Sequence, residues 1–376
     1  MHTAPPDAFR DRLTRLRGLC ADAGVDGLLV TSIHNLAYLT GLHASAGALI
    51  VLPGEARLIT DGRYAEAAEA RRLALPDLVI RQVGRSSYDE TLSAELRDLE
   101  GLRIGVEAEH LSIRRFRFIQ AAISGLAPLK LELVETQGLV EGLRMVKDAW
   151  EVETLRASGA RLMDVAKSIW PNVLAGATER DLAGLIEAGL RRAGFDKPAF
   201  DTIVASGPHS AQPHYRAGDR RLEDGDLVVV DFGGMRHGYA VDFTRTVVVG
   251  GRPTPRQRFV LEAVAAAAEA AFQAVRPGVP PESVDGAARA VLESAGLGEA
   301  FSHGTGHGLG LEVHESPRIA RALASHPQPP LAEGMVFTVE PGAYVAGWGG
   351  VRIENDVLVT ASGGELLTEA PSLGFE

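Results

Sequence analysis

At 376 residues the chain exceeds one average domain, so two are expected, and its 45% hydrophobic and 23% charged content is that of a soluble globular protein. A net charge of −11 argues against a nucleic-acid-binding surface, and a single cysteine, Cys20, cannot form an internal disulfide. No apolar run approaches the roughly 20 residues that span a bilayer, and the opening MHTAPPDAFRDRL has no signal-type stretch, so the expectation is a cytoplasmic protein without membrane or nucleic-acid partners.

Residues 9–23 place Phe9, Leu13, Leu16 and Cys20 at helical spacing. GLLVT (27–31), ALIVL (48–52), ARLIT (56–60), LVIRQV (78–83) and RIGVE (103–107) read as strands separated by helical stretches. That alternation predicts an α/β domain around a central sheet. The β-prone LKLELVE (129–135) leads into a short helix and then a long one across 138–170, which puts the domain boundary near residue 140: 1–140 and 141–376. Thr178, three residues before Asp181 and ahead of an apolar-periodic run, is the pattern of a helix N-cap. A helical pair, 255–275 and 280–296, then separates two β-prone blocks. The alanine-rich 263–272 is interrupted by Glu269 and reads as a packed helix.

Those two blocks repeat one another. EDGDLVVVDFG ends on Asp231 and AEGMVFTVEPG on Glu340, each acid followed within two residues by glycine. Each is followed by a second acid on another β-prone stretch, Asp242 in YAVDFTRTVVV and Glu354 in GVRIENDVLV. Turn signals at Gly233-Gly234 and His237-Gly238 allow a hairpin that sets Asp231 and Asp242 on one side. Carboxylates that interrupt apolar strands are costly unless a cation compensates them. Between the blocks, HGTGHGLGLEVHESP offers His303, His307 and His314 among glycines that let a ligand approach the backbone. Acids plus imidazole favour manganese, cobalt, zinc or iron over calcium, and two ions about 3.5–4 Å apart can clamp an attacked carbonyl. The segment carries neither a GK[ST] phosphate loop nor HExxH. The pattern points to a metallohydrolase.

At this level of detail the chain resembles the creatinase/aminopeptidase ("pita-bread", M24) metallopeptidases, in the branch of aminopeptidase P and prolidase. The likeness runs through FDTIVASG, GDLVVVDFG, DFTRTVVVG, HGTGHGLGLEVHESP, EGMVFTVEPG and GGVRIENDVLV, with NLAYLTG and TDGRY in the first part. It implies an α/β (α+β) fold: a small creatinase-type N-terminal α/β domain, then a pita-bread domain with a pseudo-twofold duplicated sheet. It implies two divalent ions, manganese first, with cobalt or zinc as alternatives. Their ligands would be Asp231, Asp242, His307, Glu340 and Glu354, with a water or hydroxide between the ions as nucleophile. Glu340 would also relay the proton. His214 would approach the scissile region, His303 and His314 would line the substrate pocket, His314 would donate to the developing oxyanion, and Arg352 would support the site from behind.

The implied substrate is a peptide with proline second, and the implied assembly a homodimer. An Xaa–Pro bond is a tertiary amide without an N–H, so proteases that grip that N–H cannot use it. The first reading is an Xaa-Pro aminopeptidase, the alternative an Xaa-Pro dipeptidase (prolidase). After His214 the chain has Tyr215-Arg216 where many small prolidase-like sequences have glycine, so Tyr215 or Arg216 is expected to shape the far end of the pocket. Methionine aminopeptidases share the ligand types but usually lack the N-terminal domain. A non-catalytic binding module on the same fold would have lost the ligands, which here are intact.

Overall fold

A computed structural model describes residues 4–124, 131–325 and 327–369. The chain divides into two compact units, Met1–Arg144 and Met145–Glu376.

The first unit runs α1 (Pro6–Asp22), β1 (Gly27–Val30), α2 (Ile33–Thr40), β2 (Ala48–Val51), β3 (Ala56–Asp61), α3 (Ala65–Arg71), β4 (Leu78–Val83), α4 (Tyr88–Arg97), β5 (Arg103–Glu107), α5 (Ile113–Ser124), β6 (Glu132–Thr136) and α6 (Leu139–Met145). Its six-stranded sheet has the order β4-β3-β2-β1-β5-β6. β1, β2 and β3 pair antiparallel, and β4, β5 and β6 join in parallel. Leu29, Ile50, Ile59 and Ile104 of the strands meet Leu92, Leu96 and Ile119 of α4 and α5 in one core. The strands expected at 27–31, 48–52, 56–60, 78–83 and 103–107 are all present; residues 129 and 130 of LKLELVE lie outside the described residues. The division falls after residue 144, a few residues beyond the expected boundary near 140. The reason is local: α6 is tied to α2, because the Asn35 amide donates to Glu141 Oε1 (2.6 Å) and Arg144 donates to Asn35 Oδ1 (2.8 Å).

The second unit continues with α7 (Ala149–Ile169), α8 (Glu179–Arg192), β7 (Lys197–Pro198), β8 (Ile203–Ser206), β9 (Leu227–Asp231), β10 (Gly234–Arg236), β11 (Tyr239–Val241), β12 (Phe243–Val248), α9 (Pro255–Ala274), α10 (Pro281–Ser294), β13 (Gly306–Gly308), β14 (Glu315–Ile319), β15 (Val336–Val339), β16 (Gly342–Val345), β17 (Gly349–Arg352), β18 (Glu354–Thr360) and β19 (Gly363–Leu366). The helices start where the sequence supplies caps: Thr178 accepts from the Asp181 N–H, and Asp148 with Glu151 and Thr254 with Gln257 form capping boxes.

The large sheet has the order β14-β13-β15-β18-β12-β9-β8, with β19 beside β18. Its centre is the antiparallel pair β12–β18, where Thr244 faces Glu354. On one side β12 pairs with β9, and on the other β18 pairs with β15. In each half a short hairpin, β10–β11 or β16–β17, bridges the two carboxylate-bearing strands. This is the expected duplication, with one difference. Asp242 lies at the junction of β11 and β12 rather than within one strand, because the hairpin turns at His237-Gly238 (φ 55° and 85°) and belongs to a separate three-stranded sheet. The alanine-rich α9 packs Val264, Ala267 and Ala271, all fully buried, against the core that includes Phe337, Val339 and Val357. Small side chains on that face let the helix lie close to the sheet, where apolar burial contributes roughly 25 cal/mol per Å2.

Candidate metal centre

The pleat decides which side chains converge. Asp231 stands opposite Thr244 in the β9–β12 ladder, and Thr244 stands opposite Glu354 in the next. Asp242 is two residues from Thr244 and shares its face. From the other half, Glu340 follows β15 directly, and His307 sits on β13, which pairs with β15. That strand must come close to its neighbours: a Cβ on Gly306 would fall onto the carbonyl oxygen of Thr338, and one on Gly308 onto that of Ser316. Here the glycines of HGTGHG are a packing requirement.

Asp231, Asp242, His307, Glu340 and Glu354 all line one cavity of about 450 Å3, together with His214, His303, His314 and Arg352. Ligand atoms of Asp242, His307 and Glu354 lie within 4.8 Å of one another, an arrangement that can hold a metal ion. Glu340 Oε1 is 3.6 Å from His307 Nε2. Asp231 turns one carboxylate oxygen to the Arg352 guanidinium, while its other, buried oxygen has no hydrogen-bond partner.

The protonation pattern tests whether these residues suit a cation. His307 Nδ1 is 3.1 Å from the Gly308 carbonyl oxygen, which can only accept, so Nδ1 carries the proton. Burial, with the His314 ring edge-on at 4.3 Å, lowers the His307 pKa to about 4. The ring is therefore neutral, and the Nε2 lone pair points at a carboxylate. Burial raises the Asp242 and Glu340 pKa values well above the carboxylate range, with Glu354 the next cause for both. Burial, then Asp231, pushes Glu354 up to about 7. Buried acids that repel one another, an unpartnered carboxylate oxygen and an imidazole lone pair facing an acid describe a site built around positive charge. The residues fit divalent ions.

This arrangement has a pH signature. Each raised acid contributes stability to the metal-free protein below its unfolded pKa, and that contribution is lost as pH rises through the folded value. For Glu354 the window runs from the ordinary glutamate value of 4.5 to about 7. Metal binding needs the deprotonated acids and removes their repulsion. The melting-temperature gap between metal-loaded and chelator-stripped protein is thus expected to widen from pH 5 to pH 8; a gap independent of pH in parallel thermal melts would contradict this account.

Residues 153–361 match metallopeptidase family M24, and residues 12–146 match the creatinase/prolidase N-terminal domain. The chain belongs to metallopeptidase family M24. It is 32% identical to an Xaa-Pro dipeptidase of Pyrococcus horikoshii, covering 96% of this chain and 98% of that protein. Among solved structures it resembles an Xaa-Pro dipeptidase from Bacillus anthracis (TM-score 0.88, 32% identity, 96% and 98% of the two chains). It also resembles an X-Pro aminopeptidase from Thermotoga maritima (TM-score 0.81, 35% identity, 93% and 96%). Membership of M24 makes this a peptidase that works with divalent metal ions. Among the described residues no helix is long and apolar enough to cross a membrane.

Around these five candidate ligands the structure adds residues that the sequence reading did not single out. Tyr344 accepts from Arg352 Nη1 (2.8 Å) and donates to His303 Nε2 (3.0 Å), because His303 Nδ1 already donates to the Gly304 carbonyl (2.7 Å). Asp356, fully buried two residues after Glu354, accepts the Asp242 backbone N–H (2.9 Å). Asp285 of α10 accepts from Thr305 N–H and Oγ1 and pairs with Arg289, which also donates to the His303 carbonyl. Glu315 is paired at 2.9 Å with the buried Lys147 and fixes the chain beside His314. Thr244 donates to Glu354 Oε2 (2.5 Å). An acid at every second position of β18, Glu354 and then Asp356, was the one signal in the sequence that could have found any of these.

Proposed function

We infer that the chain hydrolyses Xaa-Pro peptide bonds, with Asp231, Asp242, His307, Glu340 and Glu354 as ligands of two divalent ions, manganese first. The observation that carries this reading is the convergence of four acids and a neutral imidazole on one cavity wall. When bound, the ions supply the Lewis acidity that activates water and polarises the scissile carbonyl. The protein residues do the rest. Glu340, whose proton affinity is raised first by burial and then by Glu354, takes the proton of the attacking water and returns it to the proline nitrogen. His314 is kept neutral by burial, then by the nearby His214, and so donates an N–H to the carbonyl oxygen as charge develops. His303, locked between Gly304 and Tyr344, presents a fixed ring to the peptide. We propose that the enzyme works in the cytoplasm as a homodimer, the assembly that the family resemblance of the sequence implies.

The cavity favours short substrates. Arg216 and Arg318 both line it. Arg318 sits on β14 directly opposite His307, and among the described residues no carboxylate pairs with it. Arg216 is 88% exposed and only 3.9 Å from an equally exposed Asp201, which leaves it available to a ligand. Two guanidinium groups at the rim suit the free carboxylate of Xaa-Pro better than the continuing chain of a longer peptide. The test is hydrolysis of Ala-Pro, Ala-Pro-Ala and Ala-Ala by manganese-restored protein. Ala-Pro is expected to be cut fastest. Arg216→Ala and Arg318→Met are expected to lower its kcat/KM about tenfold relative to Ala-Pro-Ala. Faster cleavage of the tripeptide would make the enzyme an Xaa-Pro aminopeptidase, and Ala-Ala as the best substrate would overturn the assignment.

A further inference from the structure

Glu179, the first residue of α8, lies far from the metal ligands in sequence and does not line the cavity, yet its side chain is fully buried. A carboxylate in that position needs donors, and one segment supplies them. Oε1 accepts from the Ser206 N–H (2.9 Å), Ser206 Oγ (2.7 Å) and His209 Nδ1 (2.9 Å). Oε2 accepts from the Tyr215 hydroxyl (2.9 Å) and the Gly218 N–H (3.2 Å). Both ends and the middle of Ser206–Gly218 thus converge on one carboxylate. Burial alone would raise its pKa, but the hydrogen bonds from Ser206, His209 and Tyr215 outweigh that and leave it lowered, so the group is ionised and all of these bonds are charge-assisted.

The segment that Glu179 gathers is one wall of the active-site cavity. The His209 ring stacks on Tyr215 at 4.4 Å, and the Tyr215 ring packs against Ile203, Ala205 and Val229. Tyr215 is thereby fixed with its hydroxyl turned back to Glu179, while His214 and Arg216 on either side of it face the cavity. The Pro213 carbonyl accepts from Arg352 Nη1 (3.3 Å), and Ser210 Oγ accepts from the Gly350 N–H (2.8 Å). The wall is held by Glu179 at both ends and at His209 and Tyr215, and between these at Ser210 and Pro213 by the strand that carries Arg352.

We propose that Glu179 is a positioning residue for substrate binding: it holds Ser206–Gly218 so that His214 and Arg216 meet the peptide, and it acts on peptide affinity rather than on the metal centre. This rests on the Xaa-Pro peptidase reading above. A merely structural carboxylate would alter stability without a specific kinetic signature. A positioning one raises KM, spares kcat and needs His214 to do so.

The experiment compares Glu179→Gln, which keeps the shape but removes the charge and one acceptor, with Tyr215→Phe, which removes a single donor. Glu179→Gln is expected to raise KM for Ala-Pro about tenfold, with kcat within about threefold and the bound manganese unchanged. Tyr215→Phe should move KM the same way by a smaller factor. In a His214→Ala background the KM effect of Glu179→Gln should shrink to under about twofold, since a residue that acts through another is not additive with it. Hydrogen exchange should speed up at residues 206–218 and not in β9 or β12. An equal KM factor in both backgrounds, a loss confined to kcat or to bound metal, or unchanged exchange at 206–218 would each overturn the proposal. If the unaltered protein cuts no Xaa-Pro peptide, the activity assignment fails, whereas the exchange result still decides whether Glu179 orders this wall.

Discussion

Asp242→Asn is expected to make the stripped protein more stable and the enzyme inactive. Asp242 is 4% exposed, and its charge is opposed by burial first and then by Glu354, Asp231, Asp356 and Glu340. The amide keeps the oxygen that accepts the Phe243 N–H (2.7 Å) and leaves the backbone bond to Asp356 untouched. What disappears is the repulsion. Without metal at pH 8 the variant should melt above the unaltered protein, each kcal/mol gained appearing as about 2–4 °C. The advantage should fade as pH falls, because the raised proton affinity of Asp242 lets it take up a proton and lose its charge in the unaltered protein. With manganese the order reverses. Partners behind metal ligands are worth about 10–100-fold, so loss of a ligand should lower Ala-Pro hydrolysis by more than about 10³-fold, with bound metal below two ions per chain. Asp231→Asn provides the contrast. Asp231 pairs with the buried Arg352, so its neutralisation leaves a buried cation exposed to no carboxylate in contact, at a cost of about 3–5 kcal/mol. Thermal melts of both stripped variants decide the matter: an Asp242→Asn protein less stable than its parent at pH 8 would mean that the acids do not repel as described.

Much of this site was legible in the sequence because its elements obey local rules. The paired blocks ending in Asp231 and Glu340 are apolar, β-prone runs, and each became a strand or its immediate end in the central sheet. The Thr178 cap and the helical pair at 255–275 and 280–296 were readable from capping residues and period. The hairpins were harder. β16–β17 is only four residues a side and rich in glycine, so no alternation marks it. Asp356 apart, the supporting polar residues were not legible. Tyr344, Asp285, Lys147 and Glu179 look like ordinary surface-compatible residues; Lys147 with Glu315 and Glu179 with Tyr215 are far apart in sequence and meet only in the folded chain. Tyr215 or Arg216 was expected to shape the far end of the pocket, and the two take separate parts: Tyr215 is anchored in the wall, and Arg216 is an exposed rim residue.

Arg352→Met should destabilise the stripped protein in the direction opposite to Asp242→Asn, and by more. Arg352 is 3% exposed. Burial works against its charge, but Tyr344, Asp231, Glu340 and Glu354 outweigh it and hold the guanidinium charged. Its donors serve Asp231 Oδ2, the Tyr344 hydroxyl, the Pro213 carbonyl and Thr244 Oγ1 (3.3 Å), and its own backbone N–H donates to Thr246 Oγ1 (2.9 Å). Methionine fills much of the space and keeps the backbone bond, but supplies none of the side-chain donors. Asp231, already with one oxygen unpartnered, would be left among other acids with no cation in contact. Breaking a buried pair from one side costs about 3–5 kcal/mol. The loss should be larger at pH 8, above the value of about 7 to which Glu354 is pushed, than at pH 5, where a proton on Glu354 reduces the negative charge left uncompensated. Activity should fall about 10–100-fold even with metal restored, because Asp231, Tyr344 and through it His303 lose their common anchor. Arg352→Lys should not rescue it: an ammonium keeps the charge but cannot span a carboxylate, a phenol and a carbonyl in one plane. The two stripped variants, melted side by side at pH 8, must shift in opposite directions. A common direction would show that charge balance within the cavity does not govern the stability of this protein.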